Sequence, residues 1–323
     1  MTQPAVLALV DHHDGVVRAP AFELLTLARS LGPVEAVWLG SGLADALDLL
    51  AEHGVSTVHQ VDLEADVTVA TSARALAEIM VESGATTVLL SSTFENKEVA
   101  ALTAHETGAG LSVDAAGLER SGEGRLVVHQ QAFAATWTLQ VEITTPRAVV
   151  AVKPNAVPAE AEPTGQAPQV VVHALVSPPA ARTRVVERTV RPSSGRPELG
   201  EAQVVVAGGR GTEGDFSAVE ELAEVLGGAV GATRVATDEG WIGHETQIGQ
   251  TGVTISPRLY VGAGVSGAVH HRGGMQSSGT IVAVNADPEA PIFEIADFGV
   301  VGDLFSVLPQ AAAELRRLKA EQA

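Results

Sequence analysis

Short apolar runs alternate with stretches of helical spacing along this chain, and that alternation limits its fold more than any other feature. Val6–Val10 is a continuous apolar run, after which Phe22, Leu24, Leu25, Leu27, Ala28 and Leu31 recur at helical spacing until Gly32-Pro33. Val34–Leu39 is a second run, Leu43–Ala51 a helical stretch ending near Gly54, and Val55–Val61 a third run. Ala73–Ser83 is helical before Gly84, and Thr86–Leu90 is a fourth run. A strand buried on both faces reads as an unbroken apolar run, whereas a half-solvated one alternates. Strands and helices that alternate in this way predict an α/β fold, a mostly parallel sheet with helices on both faces.

The pattern loosens after the fourth run. Ser91-Ser-Thr-Phe-Glu-Asn-Lys-Glu98 opens a helix through about Thr107, and Arg125–Val128, Ala135–Ile143 and Arg147–Val152 read as later, antiparallel strands. Asp11–Gly15 reads as a loop, the prolines of Lys153–Pro168 as a surface loop, and Gln169–Val176 as one more strand. Arg191-Pro-Ser-Ser-Gly-Arg-Pro-Glu198 has the composition of a linker. A length of 323 residues exceeds one ordinary core, and 46% apolar residues can fill two. The expected division is an N-terminal α/β domain over 1–190, a linker over 191–201 and a second α/β domain over 202–323.

The second domain carries the chemistry. Ala202–Ala207 is an apolar strand that meets Gly208-Gly-Arg-Gly211, with a helix from about Phe216 to Leu226. Gly227–Ala236 carries Thr233-Arg234, and Gln250-Thr251-Gly252 sits in a loop before Val253. Leu259-Tyr-Val-Gly-Ala-Gly-Val-Ser-Gly267 is a strand meeting glycines and a serine, followed by His270-His271. Ile281–Val284 is another buried strand, with Asn285 and later Asp303 beyond it, and Leu304–Lys319 is a closing helix. Free N–H groups at a helix start attract anions, and ligands of open α/β sheets bind at the carboxyl ends of the strands. Two glycine turns with polar residues at strand ends therefore predict a phosphate-bearing ligand.

Gly262-x-Gly264-x-x-Gly267 with Asp287, 20 residues on, matches the dinucleotide fingerprint. An NAD-dependent oxidoreductase is one reading of it. Gly273-Gly274 would cut short the helix that fingerprint requires, in a chain of 33 glycines where chance matches come easily. A plain nucleotide-binding or assembly subunit is another reading. The first would purify colourless, and the second could hold AMP or ADP.

Charge and composition exclude several classes. With 39 acidic against 20 basic residues, a net charge of −19 and 3% aromatics, nucleic acid is not an expected partner. Without cysteine there is no thiolate chemistry, disulfide or Cys-ligated cluster. No apolar run reaches the length of a spanning helix, and the expectation is a cytoplasmic protein not embedded in a membrane. The neighbours His12, His13 and Asp14 and the pair His270 and His271 are not spaced to converge on one metal. His105-Glu106 and His244-Glu245 lack the second histidine of a zinc-protease helix, having Ala109 and Ile248 four residues on. Ser266 lacks the spacing of a nucleophile elbow. Neither a metal nor a catalytic nucleophile is expected.

The second domain resembles the alpha subunit of electron transfer flavoprotein. Val205-Val-Ala-Gly-Gly-Arg-Gly211, Val230-Gly-Ala-Thr-Arg234, Gln247-Ile-Gly-Gln-Thr-Gly252, the stretch Leu259–Gly267, Ile281–Asn285 and Asp287-Pro-Glu-Ala-Pro-Ile292 through Asp303-Leu304-Phe carry the resemblance in order. Glu23–Gly32 and Lys97-Glu98-Val-Ala-Ala extend it, more weakly, into the first domain. It implies a Rossmann- or flavodoxin-like domain that holds FAD, in a heterodimer whose beta subunit carries AMP. It implies an electron carrier and not an enzyme, fed by flavin dehydrogenases, those of fatty acid β-oxidation among them, and emptied by a membrane quinone oxidoreductase. Electron-bifurcating and nitrogen-fixation-linked relatives are variants of the same family.

On that resemblance Arg234 packs against the isoalloxazine, Thr251 is the hydroxyl near flavin N5, and His271 lies near the pyrimidine carbonyl. Ser266 and Thr233 stand as phosphate donors, Asn285 and Asp303 as adenosine-side contacts, and Arg210 as the arginine of the glycine turn. Gln247, Ile248, Gly249, Gln250, Gly264, Val265, Gly267, His270 and Leu304 complete the expected contact set. A flavin that takes one electron must hold negative charge near N1 and O2, which Arg234, and His271 if protonated, would favour. The chain departs from the family at His270, usually glutamine, at Ala286, often lysine, and at Thr233, commonly serine.

Overall fold

A computed structural model describes residues 4–13, 15–63, 68–133, 135–174, 186–187 and 195–322. The chain divides into two compact units, 1–131 with 138–190, and 191–323 with 132–137. Of the expected linker, 191–194 lie outside the described residues, as do Asp14 and the end of the strand expected over Gln169–Val176.

The first unit runs β1 Val6–Leu9, β2 His12–His13, β3 Val16–Val17, α1 Ala19–Leu31, β4 Val34–Leu39, α2 Leu47–Glu52, β5 Thr57–Val61 and α3 Val69–Glu82. It continues with β6 Thr87–Ser91, α4 Phe94–Thr107, β7 Gly110–Arg120, β8 Leu126–Ala132, β9 Trp137–Ile143, β10 Ala148–Val152 and β11 Gln169–His173. Nine strands form one sheet in the order β11-β5-β4-β1-β6-β10-β7-β8-β9. The apolar runs are its centre: Val6, Leu7, Val88, Leu89, Val149 and Val150 are fully shielded, with one core on each face of the sheet. Helix ends follow local chemistry. Thr68 and Thr93 cap the N-termini of α3 and α4, and Gly108 ends α4 in the left-handed conformation.

Several expectations are corrected here. β10 pairs in parallel with both β6 and β7, where an antiparallel strand was expected, and β7 pairs antiparallel with β8. A strand's sequence does not carry its direction; its neighbours decide it. Asp11–Gly15 contains half of a short antiparallel hairpin, His12–His13 on Val16–Val17, in place of a plain loop. The stretch read as one helix from Leu43 starts as a 3₁₀ turn, Leu43–Ala46, before α2.

The second unit runs β12 Val204–Gly208, α5 Ser217–Leu226, β13 Ala229–Ala232, α6 Arg234–Asp238, β14 Leu259–Ala263, α7 Val269–Met275, β15 Thr280–Asn285, β16 Phe298–Val301 and α8 Leu304–Gln322. Its five strands are all parallel, in the order β13-β12-β14-β15-β16. Numbered within the unit this is 2-1-3-4-5, the flavodoxin-like winding, with its reversal between β12 and β14. The core on one face joins Val206, Val219, Leu222, Val261 and Leu308, and that on the other joins Val205, Ile248, Tyr260 and Met275.

Candidate functional site

Because all five strands of the second unit run the same way, their carboxyl ends lie along one edge. Arg210 follows β12, Thr233 and Arg234 follow β13, Gly264–Gly267 follow β14, Asn285 ends β15, and Asp303 and Leu304 follow β16. The loop from Gln247 is drawn to the same edge, because Ile248 N donates to Ala232 O at 2.9 Å. The winding therefore collects every strand-end residue expected from the sequence.

At the reversal point the two glycine turns touch. Gly209 N donates to Ala263 O at 3.0 Å and Gly211 N to Gly264 O at 3.1 Å. A Cβ on Gly209 would stand 2.3 Å from Gly264 O, and one on Gly264, which has φ +62°, 2.7 Å from Gly211 Cα. These glycines permit backbone to lie on backbone. The turn after β14 does not pass at once into a helix: α7 begins at Val269 and has only seven residues. The anion site expected at a helix start is instead a stretch of open backbone. Among the described residues, no acceptor takes the N–H groups of Val265, Ser266, Gly267 or Ala268. Consecutive free N–H groups in a turn with left-handed glycines form an anion-binding concavity. Thr233 Oγ1, at the end of β13, is buried without a hydrogen-bond partner. Arg210 is exposed.

The Gln247–Val253 loop is fixed from both sides. Val253 N donates to Gln247 O at 2.8 Å, and Gln250 N donates to His270 O at 3.0 Å. Gly249 and Gly274 meet backbone to backbone, since a Cβ on Gly274 would stand 2.4 Å from Gly249 Cα. Gln250 Oε1 lies 2.9 Å from His270 Nδ1, so the imidazole at the first departure from the family pattern contacts the loop. Thr251 is exposed, and its Oγ1 receives Gln247 Nε2 at 3.0 Å.

The side chains differ in what they offer a ligand. Ile248, Val265 and Leu304 are buried in the apolar cores and can present only backbone. Asn285 Nδ2 donates to Val265 O at 2.9 Å and its Oδ1 accepts from Asp287 N at 3.0 Å, so it ties β15 to the open turn. Asp303 accepts from Phe305 N at 3.1 Å and Ser306 Oγ at 3.0 Å, at the start of α8. Its carboxylate keeps spare acceptor capacity. Arg234 is largely exposed and ion-paired to Asp238 one turn along α6, Nε to Oδ2 at 3.1 Å.

His271 requires a correction. Its ring is buried, with Nε2 2.7 Å from Tyr260 Oη and Nδ1 3.2 Å from Ile248 O. The carbonyl can only accept, so Nδ1 carries the proton and Nε2 takes the tyrosine O–H. Burial pushes its pKa down to about 4, against a smaller upward pull from the Ile248 carbonyl. In this structure His271 is a neutral ring, where the sequence reading allowed a positive charge. Burial also raises the Tyr260 hydroxyl well above its ordinary value, so it remains a donor. Sequence reasoning missed Tyr260 and Thr237, which hold His271 and Gln247 respectively. The one signal for the first was that Tyr260 is the only tyrosine of the chain, placed inside an apolar strand.

Asp287, the acid of the dinucleotide fingerprint, accepts Glu289 N in its own turn at 2.9 Å. With α7 so short, the long crossover helix of that fingerprint is absent among the described residues. No group of three or more His, Asp or Glu side chains among those residues is placed to hold a metal ion.

Comparison with known proteins covers both units. Residues 6–178 match the family model described as electron transfer flavoprotein domain, and 198–276 match the electron transfer flavoprotein FAD-binding domain. The chain is 40% identical over 319 residues to electron transfer flavoprotein subunit alpha of Mycobacterium leprae, covering 97% of this chain and 98% of that one. It is 41% identical to the Mycobacterium tuberculosis subunit alpha over 323 residues, 97% of this chain and 99% of that one. The Bacillus subtilis subunit alpha is 33% identical over 321 residues, 97% and 98% of the two chains. The first unit, the second unit and the site edge thus fall within one set of relatives, and the chain belongs to the electron transfer flavoprotein family as an alpha subunit.

Proposed function

We propose that this chain binds FAD along the carboxyl edge of its C-terminal sheet and forms a heterodimeric electron carrier with a beta subunit, in which AMP is held. The observation that carries the reading is the open turn Val265–Ala268, whose four N–H groups have no acceptor among the described residues, on the same strand-end edge as the buried, partnerless Thr233 hydroxyl. These groups fit a pyrophosphate, with Ser266 and Arg210 as further donors. Arg234 would turn from Asp238 to the flavin ring at little cost, since exposed pairs contribute about 0–1 kcal/mol. Gln250 and His270 bound the same loop, Asn285 and Asp303 serve the adenosine side, and Leu304 and Gly267 contribute backbone. His271 would meet the pyrimidine end as a neutral imidazole. When bound, FAD supplies reversible transfer of single electrons, which no side chain here can provide.

In this reading residues 1–190 form the partner-facing domain, 191–201 the linker and 202–323 the FAD domain. The carrier works in the cytoplasm. It receives electrons from flavin dehydrogenases, acyl-CoA dehydrogenases among them, and delivers them to a membrane quinone oxidoreductase. No helix among the described residues is long and apolar enough to cross a membrane, so the acceptor supplies the membrane contact.

Co-expression with the beta subunit and mild purification test the proposal. The expected product is a yellow one-to-one heterodimer by light scattering that accepts electrons from an acyl-CoA dehydrogenase. A native complex without flavin would contradict it. So would a monomer with full flavin occupancy and normal electron transfer.

A further inference from the structure

A row of four titratable side chains crosses one edge of the first unit's sheet, and none of them belongs to the site described above. Glu35 Oε2 lies 2.8 Å from His59 Nε2, His59 Nδ1 2.8 Å from His173 Nε2, and His173 Nδ1 3.0 Å from Glu82 Oε2. Strand register brings them together. Thr57 pairs with Glu35, and Val171 pairs with His59. Side chains two apart on a strand share a face, so Glu35, His59 and His173 step diagonally across β4, β5 and β11 on one face. It is the face on which Val37 and Val61 meet Leu76 and Ile79 of α3, the helix that ends at Glu82. His59 is buried and the ring of His173 largely so, while Glu82 is exposed.

Each of the three contacts needs one proton, whichever partner carries it. Two neutral imidazoles beside two ionised carboxylates supply only two, because an ionised carboxylate can only accept. The row is therefore complete with one extra proton, held between the two rings. A separation of 2.8 Å suits an N–H group facing a nitrogen lone pair. Two nitrogens on one tetrahedral zinc ion would stand about 3.3 Å apart. A fourth proton on the rings would set N–H against N–H, and the loss of one would leave two acceptors face to face at one contact. Glu35 faces the rings from β4 and Glu82 from α3, and Glu78, one turn before Glu82, lines the cleft beside His173.

β11 has little else to hold it. It is an outer strand of the sheet, paired to β5, and Gln169, Val170 and Val172 are exposed. An outer strand with so little apolar burial opens at low cost. It is also the strand from which the chain runs on to the second unit. We propose that the shared proton of the Glu35–His59–His173–Glu82 row clasps β11 to the sheet, and that the strand loosens when the row gains or loses a proton. The clasp makes the chain's exit from the first unit respond to pH in both directions, with Glu35 and Glu82 setting the outer ends of the row and the two histidines its centre.

The test uses the full chain labelled with ¹⁵N. In the wild type near neutral pH, a scalar coupling is expected between His59 Nδ1 and His173 Nε2, because a proton shared by the two rings transmits it. Hydrogen exchange is read at Gln169, whose N–H donates to Ser56 O, and at Val171, which faces β5 in the same way, with the intrinsic pH dependence of exchange removed. Protection of these two amides should pass through a maximum with pH and fall on both sides. His173→Ala should speed their exchange roughly tenfold or more and flatten the profile, while the amides of β1 keep wild-type protection. Absence of the coupling, with the two rings titrating independently, overturns the inference. So does wild-type protection that is flat with pH, or a maximum that survives in His173→Ala. Should His173→Ala not fold, the coupling and the pH profile of the wild type decide.

Discussion

Lowering the pH should destabilise the second unit through a single ring, His271. Its Nδ1 faces the Ile248 carbonyl at 3.2 Å and its Nε2 the Tyr260 hydroxyl at 2.7 Å, with the ring only 6% exposed. A second proton has no acceptor waiting, and Tyr260 would have to turn its own O–H away inside the core. The folded pKa is accordingly about 4, against 6.5 for a free histidine. The sign follows directly. Between these values the unfolded chain binds a proton that the folded chain refuses, so stability rises with pH across the window and is lost as pH falls from about 6.5 toward 4. A gap of roughly 2.5 at about 1.4 kcal/mol per pH unit gives about 3 kcal/mol in full, and about 2 kcal/mol of it between pH 7 and 5. Urea unfolding of wild type and His271→Gln at several pH values isolates this contribution. The difference between the two should shrink by about 2 kcal/mol on going from pH 7 to 5. A ¹⁵N-imidazole titration of the full chain gives the value independently. Equal pH slopes in the two proteins, or a His271 resonance titrating near 6.5, would refute the reasoning.

Three other outcomes follow from particular contacts. Asp11, enclosed beside Asn96 with its pKa raised by burial to about 6, binds a proton more readily folded than unfolded, so it costs stability above that pH. Asp11→Asn should stabilise the first unit by roughly 1–3 kcal/mol at pH 7, with the gain gone below about pH 4, measured by urea unfolding. Gly209→Ala would set a Cβ 2.3 Å from Gly264 O and 2.8 Å from Val265 Cα. Both are backbone, so a loss of at least about 1–3 kcal/mol and of FAD occupancy is expected, read by thermal unfolding and flavin content. Arg234→Ala should lower the flavin potential, by about 1 kcal/mol given how wet the side chain is, while Arg234→Lys keeps the charge and loses the planar fork. Spectroelectrochemistry of the loaded complex checks this, and unchanged potentials would leave Arg234 a binding role only.

Much of the frame was legible because buried parallel strands announce themselves. Val6–Leu9, Val34–Leu39, Thr87–Ser91, Val204–Gly208 and Leu259–Ala263 are nearly continuous apolar runs ended by breakers. β7, Gly110–Arg120, was not legible: its shielded residues, Ser112, Ala115 and Leu118, come every third position, with a bulge between Ala115 and Gly117, so neither alternation nor an apolar run appears. β16, Phe298–Val301, escaped for a different reason, since all four residues are exposed at the sheet edge. At the candidate site, the order of glycines and polar residues marked the strand-end edge, because strand ends and turns are local. Side-chain direction was not local. Nothing near His271 in the sequence says that its ring turns inward to Tyr260, eleven residues earlier, and nothing near Thr251 points to Thr237.

The central claim is that the phosphates of FAD lie on the open turn after β14. It is tested most directly by titrating the flavin-depleted heterodimer with FAD while following the backbone amides of this chain by ¹H–¹⁵N NMR. The account predicts one FAD per heterodimer, with the largest shifts at Val265, Ser266, Gly267 and Ala268, the N–H groups that no acceptor among the described residues takes. Saturable FAD binding that leaves those four amides unmoved would contradict it.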